Sequence, residues 1–130
     1  MKTKTLSKYK KDLDIAFGRY IRERDGHKCY TCGLQMEPTK SQCGHFVPRQ
    51  YLATRFDERN CHAQCYACNM LYNGQPSAYA VRLKNDYGEA IVEELEKSRT
   101  KITKLSIPWY EEQIDKYKKL LEIEKKMTFG

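Results

Sequence analysis

The stretch CYTCGLQMEPTKSQCGHFVPRQYLATRFDERNCHAQCYACN, residues 29–69, decides the fold, because it contains two cysteine pairs of the same spacing. Cys29 and Cys32 are separated by two residues, as are Cys65 and Cys68. Paired knuckles of this kind supply the four thiolates that a tetrahedral structural zinc requires. The 32 residues between the pairs exceed the loop of a plain zinc ribbon, which has about 15–20 residues. We therefore predict one structural zinc per chain and a substantial element inserted between its two halves.

Two further cysteines, Cys43 and Cys61, lie within this insertion. One interpretation is that they are small buried thiols, because a free cysteine packs like a modest hydrophobe. The alternative is that they exchange with the zinc ligands, or form a second zinc site with His27 or His62. A content of one zinc per chain favours the first interpretation.

Outward from this region the chain is predicted to be helical. Up to about residue 25, where Gly26 is a natural stop, apolar residues recur at three- and four-residue spacing. They are Leu13, Ala16, Phe17, Tyr20 and Ile21. The central part is broken by glycine and proline and favours turns and short strands, with residues 42–47 as the best strand candidate.

Three helices are predicted after Pro76. Gly88 separates the first two, and the third begins near Ser106 and Pro108 and is long and amphipathic. Its apolar face includes Tyr110, Ile114, Tyr117 and Leu121. The pattern predicts an α+β, mostly helical fold in a single domain over residues 1–130, with a zinc-stapled core at 27–75 and a helical C-terminal extension at 76–130.

Charge and hydropathy indicate which partners and which cellular compartment the sequence favours. Lys and Arg number 24 against 17 Asp and Glu, and the net charge of +7 favours a polyanionic partner such as nucleic acid. No apolar run approaches the roughly 20 residues that span a bilayer, and the first residues lack the apolar core of a signal peptide. We therefore expect no membrane partner and a cytoplasmic protein, in the host cell if a phage encodes it, whose thiols stay reduced.

Taken together, the central motifs resemble a known family. They are Cys29-Tyr-Thr-Cys32, Cys43-Gly44-His45-Phe46, Arg55-Phe56-Asp57-Glu58-Arg59-Asn60, Gln64-Cys65-Tyr-Ala-Cys68-Asn69 and Asn73-Gly74. This set resembles the phage NinG/Rap family of recombination endonucleases over roughly residues 16–96. The centre is also similar to HNH nucleases and phage endonuclease VII. The resemblance implies a zinc-bound ββα-metal (His-metal-finger) core with N-terminal and C-terminal helices, and makes residues 27–75 an HNH-like catalytic core.

The resemblance implies roles for three residues of this core. His45 matches the general base, Asn60 the central asparagine of the HNH motif, and Asn69 a metal ligand on the helix opened by the second knuckle. A neutral imidazole suits proton removal from water, since its ordinary pKa of about 6.5 lies near working pH. A catalytic Mg²⁺ or Mn²⁺ prefers oxygen ligands such as the Asn69 amide. Asn60 is expected to orient the base or to tie its strand to the neighbouring segment.

One position departs from the related enzymes. Gly44 stands where many of them have Asp or His as a second metal ligand, so another residue has to supply that contact. The candidates, with His62 ranked first, are His62, Asn73, Asp57 and Glu58.

Basic and aromatic residues near the centre are candidate DNA contacts. Arg49, Arg55 and Arg59 are expected to hold phosphates, although each could equally be a surface residue, and Arg59 could pair with Asp57 or Glu58. The N-terminal run Lys2, Lys4, Lys8, Lys10 and Lys11 could add affinity without affecting the chemical step. For Tyr66, Tyr72 and Tyr79, packing around the zinc is the main interpretation and stacking on bases the alternative.

The function that the resemblance implies is metal-dependent, structure-specific DNA cleavage of branched recombination intermediates, such as Holliday junctions and D-loops, in phage recombination. Two alternatives stay open: a less selective HNH-type nickase or nuclease, and a non-catalytic zinc-stapled DNA-binding module. A junction has two strands to cut, so we also expect a homodimer formed through the last helix. That helix could instead fold back over the core.

Overall fold

The computed structural model describes residues 3–129, and side chains within residues 3–127. It is a mostly helical α+β structure, as the sequence predicted. Its elements in chain order are α1 (Leu6–Arg24), β1 (Gln42–His45), α2 (Leu52–Arg55), β2 (Cys61–Gln64), α3 (Pro76–Tyr87), α4 (Ile91–Ser98) and α5 (Ile107–Phe129). A 3-10 turn, Pro38–Lys40, precedes β1, and one π-helical turn, Ala67–Leu71, follows β2.

Helix α1 buries the apolar face that its periodicity predicts. Leu13, Phe17 and Ile21 are at most 1% exposed and form one core with residues of α5. Burial of each such side chain contributes roughly 1.5–3 kcal/mol. The helix ends at Arg24, and Gly26 follows it with a left-handed φ of 60°, which glycine adopts without a steric penalty.

Helix α5 folds back over the core along α1. It begins as predicted, because the Ser106 hydroxyl accepts a hydrogen bond from the Trp109 N–H at 3.2 Å. Tyr110 and Tyr117 are buried, and the Tyr117 ring meets Phe17 edge-on with centroids 5.0 Å apart. The face on which the homodimer prediction relied is thus largely covered within the chain, and the homodimer stays a prediction.

Strands β1 and β2 form an antiparallel pair in which His45 lies opposite Cys61 and Gly44 opposite His62. The end of α1 holds this hairpin in place. The Arg24 guanidinium donates to the Cys61 carbonyl at 2.8 Å, and the Asp25 carboxylate accepts from the Ala63 N–H at 2.8 Å.

Side chains alternate between the two faces of such a hairpin. One face carries Cys43, His45 and Cys61, and the other carries Gly44, His62 and Gln64. This division decides which of the predicted site residues can meet.

Helices α3 and α4 confirm the predicted pair with Gly88 between them. Pro76 occupies the first turn of α3, and Gly88 ends the helix with φ 99°. The two helices bury Tyr79, Leu83 and Ile91 in a second core cluster, behind the hairpin.

The ββα-metal core is the part of the fold prediction that the structure does not reproduce. The second knuckle opens only the π-helical turn Ala67–Leu71, and the next regular helix begins at Pro76. No helix in the described part of the chain is long and apolar enough to cross a membrane.

Candidate metal centre and adjoining cleft

The first cysteine knuckle is a tight turn directly after α1. The Cys29 N–H donates to the Leu34 carbonyl at 2.8 Å, and the Gly33 N–H donates to the Cys29 carbonyl at 2.9 Å. Gly33 has φ 79°, which an L side chain rarely adopts. The turn aims Cys29 and Cys32 at the end of β2.

The second knuckle begins where β2 ends and completes the centre. All four Sγ atoms of Cys29, Cys32, Cys65 and Cys68 lie within 4.8 Å of one another. Sulfurs bound tetrahedrally to zinc at about 2.3 Å stand about 3.8 Å apart. The Cys32 and Cys65 sulfurs are already 3.8 Å apart. The donor set therefore fits a structural zinc.

The protein surroundings shift the pKa values of these thiols in different directions. Burial raises the pKa of Cys29, but hydrogen bonds from the Thr31 hydroxyl and from backbone N–H groups outweigh it and lower that pKa to about 6. Burial raises the pKa of Cys68 above its ordinary value. Of these two thiols, Cys29 therefore loses its proton more readily.

A cleft of about 470 Å³ opens beside this centre and brings predicted site residues together. Its lining includes His45, Arg49, Asn69 and Asn73. His45 comes from β1, whereas Asn69 and Asn73 come from the turn after the second knuckle. Hydrogen bonds from Asn69 to Gln42 and from Gln64 to the Gly74 carbonyl join that turn to the hairpin.

His45 is half-buried and oriented by a backbone contact. Its Nε2 lies 2.9 Å from the Arg55 carbonyl oxygen, which can only accept a hydrogen bond. Nε2 therefore carries the proton of the neutral ring, and Nδ1 keeps its lone pair. Burial lowers the pKa of His45 below 6.5, despite the opposing effect of the Arg55 carbonyl. The ring is consequently neutral at pH 7.

Asn69 presents one side of its amide to the hairpin. Its Nδ2 donates to the Gln42 Oε1 at 2.8 Å, which leaves its own Oδ1 for another partner. Asn73, in the left-handed conformation with φ 54°, lines the same cleft. Asn69 was predicted to lie there, and Asn73 was among the candidates for the missing metal contact.

Asn60 is completely buried and ties the β1–β2 connection together. Its Oδ1 accepts from the Val47 N–H at 2.8 Å, and its Nδ2 donates to the carbonyls of Val47 at 3.0 Å and Thr54 at 3.2 Å. These contacts match the second of the two predicted roles, since the Asn60 side chain joins the end of β1 to the neighbouring segment and makes its hydrogen bonds to Val47 and Thr54.

Gly44 lacks a side chain for a reason that the sequence did not reveal. A Cβ at this position would lie 1.8 Å from Gln64 Oε1. Gln64 is fully buried and is held by hydrogen bonds from its Nε2 to Thr31 Oγ1 at 3.1 Å and to the Gly74 carbonyl at 2.9 Å. Gln64 was missed because only the hairpin register reveals this contact.

His62 does not lie in the cleft, so the structure disagrees with its ranking as first candidate for the metal contact. It lies on the opposite face of the hairpin, and its ring nitrogens are 3.1 Å and 3.0 Å from the hydroxyls of Tyr79 and Tyr87. Its ring also stacks on Tyr30, with centroids 3.8 Å apart. Burial lowers the pKa of His62 to about 3. It is a neutral core histidine.

Asp57 and Glu58, which were also candidates for the metal contact, are engaged elsewhere. Asp57 pairs with Arg59, and the Glu58 carboxylate accepts from the Tyr117 hydroxyl at 3.0 Å. His27, named for a second zinc site, bonds through both ring nitrogens, to Ser41 at 2.7 Å and Glu23 at 2.8 Å.

The three arginines have different surroundings. Arg55 makes a two-pronged ion pair with Asp14 of α1, with Nε 2.9 Å from Oδ1, so its predicted phosphate contact is not supported. Arg59 pairs with Asp57 at 3.2 Å and with Glu94 at 3.1 Å, which is the structural role considered for it. Arg49 is exposed at the cleft, and its side chain has no ion pair within the described residues. Its guanidinium is therefore not committed to a carboxylate within the described residues.

The candidate tyrosines differ in burial. Tyr79 is 1% exposed and donates to the Gly44 carbonyl at 2.7 Å, so it packs the core and cannot stack on a base. Tyr66 and Tyr72 are 56% and 58% exposed, and stacking there stays a prediction.

The basic N-terminal run is partly paired. Lys4 and Lys8 both pair with Asp12, at 2.7 Å and 2.9 Å. Lys2 lies outside the described residues. Any contribution of the run to DNA affinity stays a prediction.

Fold and centre define a mostly helical α+β protein with a cluster of four cysteines that can hold a metal ion, beside a cleft. The family model described as "Bacteriophage Lambda NinG protein" matches residues 1–127, and the chain belongs to this NinG family of phage proteins.

Three curated relatives, each named "Protein ninG", illustrate the similarity. The protein of Escherichia phage 933W is 35% identical over 93 residues, which cover 70% of this chain and 46% of that protein. The protein of Salmonella phage P22 is 36% identical over 88 residues, which cover 66% of this chain and 43% of that protein. The protein of Escherichia phage lambda is 33% identical over 93 residues, which cover 70% of this chain and 45% of that protein. The chain spans about half the length of the curated relatives it matches. No solved structure matches the chain.

These comparisons confirm the NinG part of the resemblance. They give no match to HNH nucleases or endonuclease VII, and the names of the relatives assign no activity.

Proposed function

We propose that this chain is a metal-dependent DNA endonuclease whose active site is the cleft beside the four-cysteine centre. The observation that carries the proposal is that His45 and Asn69, which come from different elements, line one cleft. A proton acceptor and a metal-binding oxygen thus face a common space. Hydrolysis of a phosphodiester requires both functions at one phosphorus atom.

His45 acts as the general base in this proposal. With Nε2 donating to the Arg55 carbonyl at 2.9 Å, Nδ1 is the nitrogen that can accept a proton from the attacking water. The burial that lowers the pKa of His45 keeps the ring neutral at working pH. Asn60 holds the chain segment after β1 in place, so it is a positioning residue and does not contact the reacting atoms.

The cleft offers oxygen ligands for a divalent ion but few charges. Asn69 and Asn73 provide amide oxygens, and no carboxylate is among the described residues that line the cleft. Bound Mg²⁺ or Mn²⁺ would stabilise the negative charge that develops on the phosphate oxygens. Because the amides are neutral, we expect tight ion binding only when DNA phosphates share the ion.

DNA as substrate is supported by charge, and branched DNA by the resemblance. The net charge is +7, and the exposed Arg49 lies at the cleft, where its guanidinium can reach a phosphate next to the one cleaved. The preference for Holliday junctions and D-loops rests on the similarity to recombination endonucleases.

Cleavage of matched DNAs by the zinc-loaded protein tests the proposal. We expect Mg²⁺- or Mn²⁺-dependent cleavage of a four-way junction, loss of most turnover in His45→Ala with zinc and DNA binding retained, and partial rescue of Asn69→Ala by excess divalent ion. Since Arg55 is held by Asp14, Arg49→Ala is the variant expected to weaken DNA binding.

The same assay distinguishes the competing functions. Equal rates on linear, flap and four-way DNA would leave a less selective nuclease. DNA binding without cleavage in either ion would leave a non-catalytic zinc-stapled binding module. If His45→Ala cut as fast as the parent, His45 would not be the base.

A further inference from the structure

The two cysteines outside the four-cysteine centre lie beside His45. Cys43 and His45 are two residues apart on β1, and Cys61 of β2 pairs with His45. The register therefore places all three side chains on one face of the hairpin. Their ligand atoms lie within 4.8 Å of one another.

From this juxtaposition we infer that Cys43, His45 and Cys61 form a second binding site for a soft divalent metal ion such as Zn²⁺. Sulfur and imidazole nitrogen are the donors that zinc prefers, at about 2.3 Å and 2.0–2.1 Å. Those bond lengths put tetrahedral ligands about 3.4–3.8 Å apart, so the three atoms need to approach by at most about 1.4 Å. The four-cysteine cluster satisfies the same 4.8 Å limit.

The three donors are poorly occupied by other contacts. Both cysteines are free thiols, and the Cys61 thiol contacts the Cys43 thiol and, at 3.6 Å, the Arg55 carbonyl. One nitrogen of His45 is bonded to the same carbonyl, which leaves the other without a protein hydrogen bond in the described part of the chain. A metal ion would thus replace weak thiol contacts and require no ion pair to break.

Access and charge both suit a zinc ion. Cys43 and His45 line the open cleft, while Cys61 is fully buried beneath them. Two thiolates and a neutral imidazole bring the total charge of a Zn²⁺ complex to zero, which removes the cost of burying a net charge. Three protein ligands leave a fourth position for water or a phosphate oxygen, as in zinc sites that exchange ligands.

The second site is expected to be weaker than the first. It offers two thiolates where the four-cysteine centre offers four, and its metal faces an open cleft. The first equivalent of zinc therefore fills the four-cysteine centre, and the second binds at Cys43, His45 and Cys61. This order keeps one tightly bound structural zinc per chain.

Cobalt titration without DNA tests the second site. Protein carrying one zinc per chain is titrated with Co²⁺, and the near-ultraviolet absorption of cobalt–thiolate bonds is recorded. We expect one equivalent to bind with about half the absorption of a four-thiolate cobalt site, because two Co–S bonds form in place of four. Cys43→Ser and His45→Gln are expected to lose this equivalent and to retain the first zinc.

The matched control is Asn69→Ala, which changes the same cleft without removing a soft ligand and is expected to bind cobalt like the parent. The proposal is overturned if the parent shows no cobalt–thiolate absorption, or if Cys43→Ser binds cobalt as the parent does. Because both variants alter half-buried residues at the cleft, retention of the first zinc shows that each has folded.

A regulatory consequence rests on the proposed function. A zinc ion on His45 would occupy the base, so a second equivalent of Zn²⁺ should abolish Mg²⁺-dependent cleavage by the parent, and Cys43→Ser should resist it. If no DNA is cleaved under any condition, the proposed function fails while the cobalt result still decides the metal site.

Discussion

Replacement of Asn60 by alanine tests whether this side chain holds the segment between the two strands. Asn60 is fully buried, and its amide makes three hydrogen bonds to the backbone of Val47 and Thr54. Alanine removes all three and leaves buried backbone groups without that partner. The segment between β1 and α2, which borders the cleft, loses its main polar tie.

The expected cost follows from those groups. Each buried polar group that loses its partner costs about 1–3 kcal/mol. The Thr54 carbonyl keeps a hydrogen bond from the Asp57 N–H at 3.2 Å, so the Val47 N–H and carbonyl dominate. We expect Asn60→Ala to lower the free energy of unfolding by about 3–5 kcal/mol. Asn60→Asp should be at least as damaging at neutral pH, because it sets a carboxylate oxygen against two carbonyls.

Urea unfolding of the zinc-loaded variants, followed by far-ultraviolet circular dichroism, measures this loss. Asn69→Ala is the matched control, since it makes the same substitution at a half-buried asparagine with one side-chain hydrogen bond. It should lower stability by less than about 1 kcal/mol. An Asn60→Ala protein within about 1 kcal/mol of the parent, or an Asn69→Ala protein that loses as much, would refute the reasoning.

Individual contacts lead to three more expected outcomes. Gly44→Ala should destabilise the fold by about 1–3 kcal/mol, because the new Cβ meets the buried Gln64 amide. In thermal unfolding, Gln64→Ala should therefore cost less stability in the Gly44→Ala protein than in the parent, and an additive double variant would count against the clash. The pKa of His62 is about 3 in the folded state and 6.5 in the unfolded state. Between these pH values the unfolded state binds more protons, so the free energy of unfolding falls as pH decreases from 6.5 towards 3. The neutral His62 contributes up to about 5 kcal/mol to the free energy of unfolding above this window. The difference in unfolding free energy between the parent and His62→Gln should therefore shrink as pH falls through it, and a constant difference would contradict this pKa shift. Arg55→Ala should lower thermal stability and leave the salt dependence of DNA binding almost unchanged. Arg49→Ala should leave thermal stability almost unchanged and reduce the salt dependence of DNA affinity. Equal effects of the two variants would remove the distinction.

Local patterns in the sequence were sufficient for several elements. The periodicity of Leu13, Phe17 and Ile21 predicted a buried helical face, and Gly88 predicted the break between α3 and α4. The strand predicted at residues 42–47 is observed as Gln42–His45. These features depend on neighbours within a few residues, so a single sequence contains them.

Contacts between distant segments were beyond the sequence. Arg55 meets Asp14, which lies 41 residues earlier, and His62 is enclosed by the hydroxyls of Tyr79 and Tyr87. Both were predicted to serve DNA or a metal ion, because a sequence shows the residue type but not its partner. A guanidinium or an imidazole is free for a ligand only when no group inside the fold has already taken it.

By itself, the sequence determined which four cysteines form the candidate metal centre, since paired cysteines at this spacing are typical of structural zinc sites. The tertiary structure decided the cleft. The antiparallel register places His45 beside Cys43 and Cys61 and turns His62 to the other face, and the turn after the second knuckle places Asn69 in the lining of the same cleft as His45. A shift of one residue in that register would reverse every side chain, and only long-range packing selects between the two arrangements.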